Sequence, residues 1–399
     1  VPTGQWLKGW NKERRIKIVL DKDKINAALT HFPHRIHLSK VSGTGKYDAR
    51  KVFDELGANN LKIAVTSSDG IKQLYVEIDN WDATNKTADL WVSRSDWTIS
   101  SLVDTVIYLY YDKTHADNSA YVGVTGSVPA QNVWDTYTKA AYHMNDNPDT
   151  SHIMDSTSNH NDGTKDGIDA PLEVDAVIGK GQEFAGVSDD ILVANEPNFD
   201  ITDYLTIEAW INKEDWTTGN VYKVIFSKDY RSYEFSVANG KLNFQVDRGA
   251  TEIIGRSDEV LSSGIHYVVF RFDKDTVNDH GKYHSLFVDG VLIPFTFVSG
   301  ADTNTPFILN NYNPYIGSRR GLSLFADCIE DEIRVSTTGI IGRFDAWVGA
   351  SYETQRDNLN FLSLEIREAI IHPGAPVPTP PLKRSFLLKV HDWLRSKVE

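Results

Sequence analysis

A single cysteine, Cys328, stands among 399 residues, which rules out an intrachain disulfide framework and a cysteine-rich zinc site. No apolar run approaches the ~18 residues of a membrane-spanning helix, so no membrane insertion is expected. Basic residues are in the minority, 41 Lys and Arg against 55 Asp and Glu, for a formal charge of -14. That balance argues against a general nucleic-acid binder. The first residues, Val1-Pro2-Thr3, lack a basic segment followed by an apolar one, so a processed secreted protein and one built into a particle are read alike.

The composition is that of a folded chain, 41% hydrophobic and 24% charged. Its length calls for two or three domains, because one core rarely grows past about 250 residues. Charge is uneven. Residues 1–51 hold 12 basic and 4 acidic side chains, whereas residues 52–381 hold 24 and 49. The basic strip reads either as a solvated strand face or as a docking surface for an acidic neighbour.

Short β-branched and aromatic runs dominate, as in Arg15–Leu20, Thr105–Tyr111 and Tyr267–Phe272. Turn pairs such as Asp69-Gly70, Asn239-Gly240 and Asp289-Gly290 separate such runs. This pattern predicts an all-β protein of two tandem sandwiches. Helical spacing occurs at 49–56, 343–352 and 385–398. The expected divisions are an N-terminal sandwich at 1–117, a larger jelly roll at 118–372, a linker at 373–381 and a terminal helix at 382–399. The linker carries five prolines in nine residues and is a semi-rigid spacer. Beyond it, Phe386, Leu387, Val390, Trp393 and Leu394 share one helical face, expected to dock on the jelly roll, on a partner protein of the same assembly, or on a second copy of the chain.

Residues 4–113 resemble a domain of unknown function that precedes laminin G-like modules in microbial and viral surface proteins. The likeness rests on Trp10, Arg14–Ile18, Phe32-Pro33, Leu61–Ile63, Asp69, Leu74, Glu77, Trp81-Asp82, Leu90–Val92 and Ile107–Tyr111. It implies a small β-sandwich and no activity. Residues 119–371 resemble the concanavalin A-like, laminin G-like jelly roll. The motifs are Val133–Asp135, Ala140–Asn145, the loop Asp155–Gly163, Gly181–Phe184, Leu205–Ile211, Leu286–Gly290, Ile329–Val335 and Phe344–Tyr352. Such modules bind glycans or proteins, or act as spacers.

The Asp155–Gly163 loop carries carboxylates at Asp155 and Asp162 and amides at Asn159 and Asn161. Calcium takes six to eight oxygens of these kinds, and the resemblance implies a structural calcium ion that recruits Asp331 or Glu332. The same side chains also build turns with no ion. Hydrolysis needs paired acids, and the strand pattern of the resembled glucanases is broken at Glu173-Val174-Asp175, where Val177 and Ile178 replace the last acid. No catalytic residue is therefore assigned. His31, His34 and His37 fall on two faces of a strand, against a three-histidine metal site. Cys328 reads as an inert buried thiol. Loop aromatics suit sugar stacking, and Tyr312, Tyr315, Arg319, Trp216 and Tyr230 are the glycan candidates. The function expected is non-catalytic glycan recognition, or a structural role in an extracellular or virion-surface assembly. A secreted polysaccharide hydrolase or lyase is the alternative.

Overall fold

The computed structural model describes residues 5–366 apart from residue 12 and the stretches 167–169, 195–196, 230, 250–251, 338–342 and 357–361. The chain divides into two compact units, Val1–Ile366 and Arg367–Glu399. The proline-rich linker and the docking residues Phe386, Leu387, Val390, Trp393 and Leu394 lie outside the described residues, as does Tyr230.

The first sandwich is one hydrogen-bonded path folded over itself. Strands Arg15–Leu20, Thr105–Tyr111 and Ile63–Thr66 lead into the ten-residue strand Gln73–Asp82, which continues to Thr87–Ser93 and His34–Leu38. Period-2 alternation turns Ile16, Ile18, Leu74, Val76, Leu90 and Val92 into one core. Helix α1 (Arg50–Leu56) closes it with Val52, Phe53 and Leu56. The three arginines Arg14, Arg15 and Arg35 of the basic strip are spent internally, while Lys8, Lys40, Lys46 and Lys51 are exposed. Arg15 stacks on Trp6 at 3.6 Å, Arg14 pairs with Glu55 at 3.1 Å, and Arg35 binds Asp89.

The second sandwich packs an eight-stranded sheet on a nine-stranded one. In the first, Tyr204–Lys213 runs between Ile329–Ser336 and Gly264–Asp273. In the second, Tyr233–Ala238 lies between Tyr222–Ser227 and Lys241–Asp247, and Glu252–Ser257 follows. Leu205, Ile207, Phe270, Phe235 and Phe244 meet in the core between them. Asn239-Gly240 and Asp289-Gly290 have positive φ at both residues, as a two-residue hairpin turn requires.

The division expected at 117/118 is crossed three times. Strand Val122–Val124 pairs in parallel with Gln73–Asp82, and helix α2 (Val128–Gln131) follows it. Strand Leu362–Ile366 pairs with Arg15–Leu20 at the edge of the first sheet. Between the sandwiches lies α3 (Asp345–Arg356), whose Trp347 and Ala350 join the first core while Val348 and Tyr352 pack on Trp210 and Tyr267 of the second. Trp91 and Trp210 are buried on the outward faces of their sheets at this junction.

Candidate functional site

The two outer faces of the second sandwich differ. That of the eight-stranded sheet carries Trp210, Tyr267, Val269 and Phe287 against Val348 of α3. That of the nine-stranded sheet is polar. Alternation sends Tyr233, Phe235 and Val237 inward and leaves Glu234 and Ser236 outward, and Leu242, Phe244 and Val246 inward with Asn243 and Gln245 outward. Register then builds two cross-strand rows. One runs Ser227, Glu234, Gln245, Ile254; the next runs Val224, Ser236, Asn243, Arg256.

Arg319 closes one end of this face with a bidentate pair to Glu234, Nε to Oε2 at 2.6 Å and Nη2 to Oε1 at 2.7 Å, and donates to Gln245 Oε1 at 3.0 Å. Burial opposes the charge, but the Glu234 carboxylate prevails and holds the guanidinium above its usual range. At the other end Arg256 donates to Asn243 Oδ1 at 3.0 Å and to the Tyr222 hydroxyl at 2.7 Å. Glu234, Ser236 and Asn243 are themselves fully buried and Gln245 nearly so. The groups this face presents to solvent are the half-buried Arg256, Arg319 and Tyr222, planar donors and a ring of the kind that reads sugar hydroxyls and stacks on sugar rings.

The glycan candidates of the sequence fare unequally. Arg319 belongs to the polar face, and half-buried Tyr315 lies on the neighbouring short strand Tyr315–Ile316. Tyr312 is 36% exposed, with the Arg320 guanidinium 3.6 Å above its ring. Trp216 is a correction: it is 1% exposed and part of the sandwich core, so its ring is closed to any ligand. Glu234, Asn243, Gln245 and Arg256 escaped the sequence reading, although the alternation of Tyr233–Ala238 and Lys241–Asp247 carries the signal.

In the Asp155–Gly163 loop the calcium candidates build the turn with their own hydrogen bonds, and Asn161 Oδ1 alone among their amide oxygens is buried with no hydrogen-bond partner. Both Asp155 oxygens are already engaged. Oδ1 accepts from the amides of Ala141 at 3.0 Å and Thr157 at 2.9 Å. Oδ2 accepts from Thr157 Oγ1 at 2.8 Å and the Asn161 amide at 2.9 Å. Asp162 accepts from the Asp155 amide, while Asn159 and Asn161 donate their side-chain N–H groups to backbone carbonyls at 138 and 139. Burial raises the Asp155 carboxyl to about 6 in spite of these donors. The loop is a turn scaffold. Asp331 is held elsewhere, accepting from the Ile178 amide at 2.9 Å. The three histidines also stay apart: His34 bonds Thr354, His37 bonds Asp89, and His31 reaches the Asn132 carbonyl. Cys328 is buried, and burial pushes its thiol well up.

At the junction of the sandwiches, outward Glu77 and Asp79 of the first face His143, Asp331, Glu332 and Arg334 of the second. A bulge at Glu332, with φ 50°, interrupts the Ile329–Ser336 ladder opposite Trp210 and puts consecutive acids Asp331 and Glu332 on the outer side. Trp91 stacks on the His143 ring at 5.6 Å and lies 4.4 Å beneath the Arg334 guanidinium. Burial together with neighbouring Glu332 raises Asp331 well up, and burial with nearby carboxylates raises Asp79 to about 8. The facing acids hold His143 well above the usual imidazole range despite its burial.

An open groove of about 510 Å³ borders Glu183, Lys213, Glu214 and Asp327. Its Asp327 is paired with Lys213 and Lys223, each at 3.4 Å. No helix among the described residues is long and apolar enough to cross a membrane.

Two face-to-face antiparallel sheets with this hairpin order define an all-β sandwich. Residues 185–338 match the family model of the concanavalin A-like lectin/glucanases superfamily, which makes this part of the chain a laminin G-like jelly roll. No curated protein matches the chain. Among solved structures it is similar to domain 4 of AbnA, a GH43 extracellular arabinanase from Geobacillus stearothermophilus, in complex with arabinotriose. Identity there is 18%, coverage 55% of this chain and 98% of that one, and the TM-score 0.40. It is also similar to the binding domain of Paraclostridial Mosquitocidal Protein 1, at 16% identity, 54% and 52% coverage and TM-score 0.36. For the receptor binding domain of botulinum neurotoxin D the values are 11%, 55% and 53%, and 0.39. The chain spans about half the length of these last two.

Proposed function

We propose that the protein is a non-catalytic glycan-recognition module that works outside cells, and that the polar face of its nine-stranded sheet is the binding surface. The observation that carries this reading is the half-buried set Arg256, Tyr222 and Arg319, held in place by hydrogen bonds to the buried Asn243, Glu234 and Gln245 beneath them. Such a surface has its donors fixed before a ligand arrives, which lowers the ordering cost of binding. The hydrolase alternative needs two acids facing a sugar across a cleft. The acids clustered here are instead buried between the sandwiches, and Asp327 in the groove is neutralised by lysines.

A glycan array probed with the wild-type chain identifies the ligand class, and titration of the strongest hit then tests the face. Arg256→Ala is expected to weaken that hit at least tenfold, about 1.4 kcal/mol, with an unchanged circular-dichroism spectrum. Absence of any hit at high protein concentration, or equal affinity of the variant, overturns the proposal.

The reading extends to a role within a larger extracellular or virion assembly, which rests on the sequence of 373–399 with its proline spacer and apolar helical stripe. Mass measurement in solution is expected to give a multimer for the full chain and a monomer for one ending at residue 372. A monomer in both removes self-association through that segment.

A further inference from the structure

From the junction between the sandwiches we infer a second site, unrelated to glycan binding: Asp79, His143 and Glu332 form a site for one divalent transition-metal ion that clamps the two sandwiches together. One ligand atom from each of the three lies within 4.8 Å of the others. His143 Nδ1 is 2.7 Å from Glu332 Oε1 and 3.8 Å from Asp79 Oδ2. An ion at about 2.0–2.2 Å from such donors spaces them at comparable distances.

The supporting groups are arranged as a metal site requires. Each carboxylate places one oxygen on a protein donor and turns the other toward the cluster. Asp79 Oδ1 accepts from Asn145 Nδ2 at 3.2 Å, Glu332 Oε2 from Arg334 at 2.7 Å, and Glu77 Oε2 from Trp134 Nε1 at 2.7 Å. Outer donors of this kind fix the orientation of ligating groups. Asp79 Oδ2 points into the cluster with no hydrogen-bond partner, on a side chain only 4% exposed. Glu77 Oε1 and His143 Nε2, 3.4 Å apart, are likewise buried without one. An unpaired buried polar atom is costly and rare, and Asp79 Oδ2, turned to the Nδ1 side of His143, indicates that a group belongs there.

Charge points the same way. Four carboxylates, Glu77, Asp79, Asp331 and Glu332, face one arginine and one histidine in a dry junction. A dication adds positive charge where the facing carboxylates outnumber the cations two to one. The donor set of one imidazole nitrogen and two carboxylate oxygens suits zinc or manganese and is poor for calcium, which takes oxygens in larger number.

The test uses the full chain, stripped with a chelator and then titrated with zinc chloride alone. One equivalent of zinc is expected to bind, and Tm to rise by about 3 °C or more at a hundredfold excess over Kd; calcium chloride at equal concentration gives no shift. Asp79→Asn keeps the shape and the bond to Asn145, and is expected to abolish the zinc-dependent rise. Should that variant fail to fold, cobalt(II) added to the wild-type chain is expected to give a visible absorption band displaced by one equivalent of zinc. Failure of the wild type to bind, an equal shift with calcium, or an undiminished zinc response in Asp79→Asn overturns the assignment. The glycan titration is read separately and stands or falls without it.

Discussion

Replacing Trp347 with alanine is expected to cost about 3–5 kcal/mol, the range for truncating a buried aromatic side chain, and to split the thermal unfolding of the protein into two transitions. Trp347 is 7% exposed, meets Phe32 edge-on at 4.9 Å, and lies beneath the Arg343 guanidinium at 3.9 Å. Its loss opens a cavity in the first core on the side where α3 enters. The opposite side of α3 stays attached to the second sandwich through Val348 and Tyr352 and through Trp210, whose Nε1–H donates to Gln355 Oε1 at 2.9 Å. The helix therefore leaves with the second sandwich, and the first must unfold without it. Arg343 loses the ring beneath it and keeps its bidentate pair with Asp135 at 2.7 and 2.8 Å. Phe344→Ala, at a ring already 37% exposed, serves as the control and is expected to shift stability by less than about 0.5 kcal/mol. Differential scanning calorimetry of both variants decides: a single endotherm at the wild-type Tm for Trp347→Ala removes α3 as the link.

That link is also where reading the sequence reaches its limit. Thr105–Tyr111 and Arg15–Leu20 form strands with the bounds their β-branched runs predict, and α1 and α3 appear at two of the three segments with helical spacing. These elements are local, set by side-chain alternation and turn chemistry. The contacts that join the halves are not local. The Arg35 amide donates to Thr354 Oγ1 across 319 residues, and no periodicity marks such a partner. Trp216 misleads for a related reason. Its polar neighbours Glu214, Asp215, Thr217 and Thr218 look like an exposed loop, yet the ring folds under into the core. Glu77 and Asp79 alternate with Val76 and Ile78, as on a solvated strand face, and only docking of the second sandwich buries them. The polar face was half legible. Arg319 stood out as a loop cation, whereas Glu234, Asn243 and Gln245 were hidden in strands whose apolar alternation drew attention to the other side.

Acidification is expected to expose a cost carried by His34. This ring is fully buried, with Nδ1 2.9 Å from Thr354 Oγ1. Burial, reinforced by the adjacent Arg35 charge, depresses its pKa from 6.5 to about 3. Above pH 6.5 the ring is neutral in both folded and unfolded chains and contributes no pH dependence. Between 6.5 and about 3 the unfolded chain takes up a proton that the folded one refuses, so stability falls, by about 5 kcal/mol over the whole window. Raised carboxyls act against this: Asp79, raised by burial to about 8, and Asp331 and Glu330, held well up by burial, are protonated in the folded chain before the unfolded one and add stability as pH falls. Asp155 and Asp190, each raised by burial to about 6, are protonated first in the folded chain and add stability as pH falls from 6 toward 3.8. Lower still, Asp135, which the Arg343 charge holds down to about 2 against burial, gives up its contribution between 3.8 and 2. The wild-type profile alone mixes these signs, and the informative quantity is a difference. His34→Gln keeps a hydrogen-bonding group for Thr354 and cannot be protonated, so it is expected to lose several kcal/mol less than the wild type between pH 7 and pH 4. Urea unfolding at both pH values measures this directly, and parallel losses in the two proteins would show that His34 titrates freely in the folded chain.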